Sequence, residues 1–78
     1  MELWVRSQDK EVLMNINHLY LSDNSIVGYC QSTFTSPILG KYKTKKRAIE
    51  VLDEIQKLLK TAELNDDINV IVYQMTKD

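Results

Sequence analysis

Lys41, Lys43, Lys45, Lys46 and Arg47 place five positive charges within seven residues, with Tyr42 and Thr44 between them. Such a run suits an anion: a phosphate, a nucleic-acid backbone or an acidic protein surface. Its position strengthens that reading, because a helical pattern starts at Ala48 and Thr44 is the natural N-cap. The first turn of a helix carries partial positive charge and favours Asp or Glu, yet here three cations follow the cap directly. Free N–H groups, the Thr44 hydroxyl and several cations therefore converge on one helix start, where an anion would be welcome. Tyr42 offers a stacking face beside them. The competing reading is a solvated edge, since lysines on an edge strand block unwanted pairing and keep a small domain soluble. Gly40 stands alone, without the spacing of a phosphate-cradling loop, so nucleotide hydrolysis has no support.

Other residues of chemical interest are isolated. His18 and Cys30 are the one pairing that could make an activated nucleophile. His18 falls between two strand-like stretches and Cys30 in an apolar run, which are the ordinary places for a rim histidine and an inert buried thiol. Asp23, Asn24, Asp66 and Asp67 sit in turn-like clusters without calcium-loop spacing. One Cys and one His fall short of a structural zinc set and of an internal disulfide. No catalytic residue, cofactor site or metal site is therefore assigned. Phe34, in the polar stretch 31–37, either folds back as a plug or stays out as a contact residue. An exposed Phe34 would lie one strand away in sequence from the basic run, making a composite contact surface. Trp4 and Tyr20 are expected in the core or at its rim.

The positioning elements are limited by size. With 78 residues, residues 1–78 form a single domain with one modest core. The net charge is −1, so the five clustered cations leave −6 on the rest of the chain and the field is polarised. There is no long apolar run and no signal-like start, which predicts a cytoplasmic protein without a membrane partner.

Strand-type residues recur at 3–6, 12–16, 19–21, 26–30 and 38–42, separated by polar clusters. Residues 7–10 and 22–25 carry turn chemistry, predicting two hairpins. Gly28 marks either a bulge or the close approach of another backbone. Ala48, Val51, Leu52, Ile55, Leu58, Leu59 and Ala62 follow the spacing of one helical stripe, with Ile49 beside it. Asp53 and Lys57 form an acid-first pair on its outer side. Residues 68–75 read as a last strand. The order predicts an α+β fold: an antiparallel β-sheet of about five to six short strands with one long amphipathic helix on one face.

Residues 3–10 and 39–56 together resemble a group of short, mostly uncharacterised proteins of Gram-positive bacteria and their phages or prophages, over about a third of the chain. The shared feature is a strand ending in a Leu-Gly-x-Tyr-x-Thr type sequence, here Leu39 to Thr44, which runs into an amphipathic helix. Lys46 and Arg47 stand where that group has a glutamate. The resemblance implies a small cytosolic accessory protein, of the kind that binds and modulates a host protein, and it carries over no catalytic residue.

Two functions follow as expectations. The first is a non-enzymatic protein-binding module, with homo-oligomerisation through the unmatched edges of a small sheet. The second is a phosphate-directed binder of nucleic acid or nucleotide through residues 41–47. The overall acidity ranks it second, because the rest of the chain repels phosphate.

Overall fold

The computed structural model describes residues 2–65, 67 and 69–78. The expected turn at Asp66 and strand start at Ile68 lie outside the described residues. The fold is α+β, with β1 (Glu2–Arg6), β2 (Leu13–Asn15), β3 (His18–Ser22), β4 (Ser25–Tyr29), β5 (Ile38–Lys41), α1 (Lys45–Glu63) and β6 (Val70–Gln74) in chain order.

The strands divide into two three-stranded sheets, β2-β1-β6 and β3-β4-β5, rather than forming one. The division has a local cause between β2 and β3. Ile16 N–H donates to the Leu3 carbonyl (2.8 Å), whereas Asn17 N–H donates to that of Tyr29 (2.9 Å), so the chain changes partner between adjacent residues. The second sheet is antiparallel, and both expected hairpins form. The first sheet is mixed: β6 pairs with β1 in parallel. The helix, about 28 Å long, carries the chain back across the molecule to make that pairing possible. Gln8 stitches the sheets together, its N–H donating to the Leu39 carbonyl (2.7 Å) and its side-chain oxygen accepting from Lys41 N–H (2.9 Å).

Alternation along the strands sends one set of side chains inward. Val5, Ile16, Ile26, Leu39, Tyr42 and Met75 meet Ala48, Val51 and Ile55 of the helix in one core. The helix packs against β3, β4 and β6, with Leu52 and Leu59 half-buried at its flanks. Leu58, at the margin of the stripe, is exposed, as is Ile49. The expected Asp53–Lys57 pair does not close: among the described residues the one ion pair joins Arg47 to Glu50 at 3.9 Å. Exposed pairs of this kind gain too little to hold two long side chains in place. No helix among the described residues is long and apolar enough to cross a membrane.

Gly28 marks neither a bulge nor another backbone. A Cβ there would lie 2.5 Å from Leu39 Cδ1 and 2.7 Å from Ile16 Cδ1, so two core side chains occupy its space. The bulge lies nearby, between Ile26 and Val27 in their pairing with β5. Tyr20 is a second correction. It points outward from β3 and is 47% exposed, while Leu19 and Leu21 on the other parity pack on the core. Trp4 is half-buried, a rim residue whose indole N–H donates to Glu2 (3.2 Å).

Tyr73 ties β6 to the helix by donating its hydroxyl to Glu54 (3.0 Å). Burial, reinforced by that carboxylate, pushes Tyr73 from an ordinary 10.0 up to about 12. The folded state thus favours the neutral phenol. Its contribution to stability is complete below pH 10 and is lost as pH rises through 12. An NMR titration of the Tyr73 ring is expected to show this late ionisation, and Glu54→Gln should bring it down toward the ordinary range.

Candidate functional site

β5 delivers Lys41 to the end of the second sheet, and the next residue is locked. Tyr42 N–H donates to the Asn24 carbonyl (3.0 Å) and the Asn24 side-chain amide donates back to the Tyr42 carbonyl. The basic run therefore starts beside the β3–β4 turn, where Asp23 adopts the left-handed region (φ 55°). The Tyr42 ring turns into the core and is 4% exposed, which removes it as a stacking face. A residue between two exposed lysines on extended chain faces the other way. Its hydroxyl donates to the Thr76 carbonyl (2.9 Å) and accepts from the Thr76 hydroxyl (3.2 Å). Burial raises its ionisation above the ordinary tyrosine value.

Thr44 caps the helix as expected: its backbone is extended and its hydroxyl accepts from Arg47 N–H at 3.1 Å. The first turn holds no acid. Arg47 reaches sideways, its Nε donating to the Asp78 carbonyl (2.9 Å). Residues 75–78 come to this point because Met75 N–H donates to the Arg6 carbonyl (3.0 Å) and its side chain is buried. The Gln8 amide then holds the carbonyls of Thr76 (3.1 Å) and Lys77 (2.6 Å).

These contacts enclose a cleft of about 620 Å³ lined by Lys41, Tyr42, Lys43, Arg47, Lys77 and Asp78. Four cations from three stretches of chain line it together with Asp78, and one of them, Arg47, is also paired with Glu50. The sequence reading found Lys41, Lys43 and Arg47 but missed Lys77 and Asp78. Lys45 and Lys46 are exposed on the first turn of the helix and do not line the cleft.

Phe34 is out, not a plug. It is 80% exposed with φ at 53°, on a loop closed by a bridge between Cys30 and Thr35. That loop leads into the start of β5, and the basic run leaves its end four residues later. His18 and Cys30 are also kept apart. His18 stacks on Tyr29, ring centroids 6.1 Å apart, and the following Cys30 side chain points to the opposite face. The Cys30 thiol lies 3.2 Å from the Ser32 hydroxyl, and hydrogen bonding from Ser32 and Thr33 lowers its ionisation below the ordinary thiol value.

Comparison with protein-family profiles, with curated proteins and with solved structures finds no match to this chain.

Proposed function

We propose that this protein is a non-enzymatic, cytoplasmic accessory module that binds an acidic segment of a partner protein in the cleft of Lys41, Lys43, Arg47 and Lys77. The observation that carries this is the convergence of those cations on one concavity in a chain that is otherwise net negative. An acidic partner segment gains from the cleft, while the remaining negative surface discourages misplaced encounters. The resemblance of residues 3–10 and 39–56 to phage-type accessory proteins is the ground for placing the partner in a bacterial host.

The alternative is a phosphate-directed binder, which would use the same cations. Burial of Tyr42 weakens that alternative, because single-stranded nucleic acid is held by aromatic stacking as well as charge. The test is titration of fluorescent oligoglutamate and of oligothymidylate of equal charge. Changing Lys43, Arg47 and Lys77 to Ala is expected to weaken oligoglutamate binding, and changing Lys45 and Lys46 to Ala to leave it unaltered. Tighter binding of the oligonucleotide, with a steep salt dependence and equal sensitivity to both sets, would replace the protein-partner reading by the phosphate one.

A further inference from the structure

The second sheet carries a depression on the face turned away from the helix, and a β-bulge joins it to the basic cleft. Ile38 and Lys41 are three residues apart, so plain alternation would put them on opposite faces. In the structure Gly40 is opposite Ile26, Ile38 is opposite Val27 and Lys41 is opposite Ser25, leaving Leu39 as the extra residue. The bulge restores Lys41 to the same face as Ile38. Two cross-strand rows result: Tyr20, Val27 and Ile38 in one, Ser22, Ser25 and Lys41 in the next.

These rows line a depression of about 510 Å³, with Asp23, Asn24 and Ser36 completing its lining. Val27 is its floor at 6% exposure, while Tyr20 and Ile38, at 59% for the latter, stand on either side with apolar surface in water. Lys41 belongs to the linings of both this depression and the basic cleft. One continuous surface therefore offers an apolar seat followed by cations. Adjacent rows on one face of a sheet are about 7 Å apart, the same repeat as residues i and i+2 of an extended ligand.

Resting on the acidic-partner reading, we propose that the segment this protein binds is an extended peptide with an aliphatic or aromatic side chain seated between Tyr20 and Ile38. Its first acidic residue lies two positions away on Lys41, and further acids continue toward Lys43, Arg47 and Lys77. The charge of the cleft selects the acids, and the position of the apolar seat sets the spacing.

The test uses labelled peptides with one block of four glutamates. One has no anchor, one has a leucine two positions before the block, and one has it two positions after. An anchored peptide of one polarity is expected to bind about tenfold more tightly than the anchorless one. Tyr20→Ser and Ile38→Ser, each alone, should remove that advantage and leave the anchorless affinity unchanged. Equal binding of all three peptides would overturn this inference and leave the acidic-partner reading standing. So would an advantage that survives both substitutions. Failure of all three to bind would overturn both.

Discussion

Leu39→Ala is expected to cost about 2–5 kcal/mol of folding stability, read from urea or thermal unfolding, because it opens a cavity in a core that cannot collapse to fill it. Leu39 is 1% exposed and lies over Gly28, against the hydrogen-bonded strand that carries it. A domain of this length has only about 4–12 kcal/mol to lose, so the variant should give up a large fraction of its stability. Ile38→Ala is the control, one residue away on the opposite face and largely in water. Its cost should stay within about 0.5 kcal/mol. If the two variants were equally stable, the facing of β5, and with it the bulge that aims Lys41, would be wrong.

Reversing the cleft gives the second large effect. With Lys43, Arg47 and Lys77 all changed to Glu, binding of an acidic peptide should fall by about a hundredfold, since each favourable exposed pairing becomes a like-charge contact. The folded state should survive, because those side chains contribute to the surface rather than to the core. Thr44 still caps the helix, and the one acid placed in its first turn, at position 47, complements the partial charge there. Arg47→Glu also removes the pair with Glu50 and the bond to Asp78, so the variant should stay folded with stability close to the wild type's while losing its ligand, a separation that unfolding and binding titrations on one preparation will read.

Much of the local structure was legible in the sequence. The helix, its Thr44 cap and the hairpin around Asp23 and Asn24 are set by interactions a few residues apart, and spacing or residue type reveals them. Tyr42 was misjudged for a reason that was also local: Lys41 and Lys43 flank it, and the period of two on extended chain already turns it inward. Lys77 and Asp78 could not be read in that way. They reach the cleft because β6 pairs in parallel with β1, some seventy residues earlier in the chain, and because Gln8 binds the carbonyls beyond it. Neither contact leaves a pattern near the residues it positions. The bulge opposite Ile26 is of the same kind. Only the register of β4 and β5 shows that Lys41 has been returned to the face of Ile38 and Tyr20.

The measurement that tests the central claim most directly is chemical-shift mapping of the ¹⁵N-labelled protein during titration with the anchored tetraglutamate peptide. Shifts concentrated at Lys41, Lys43, Arg47 and Lys77, continuing to Ile38 and Tyr20, are the predicted result. Shifts confined to Lys45, Lys46 and the exposed side of the helix, or spread evenly over the surface, would contradict the cleft as the binding site.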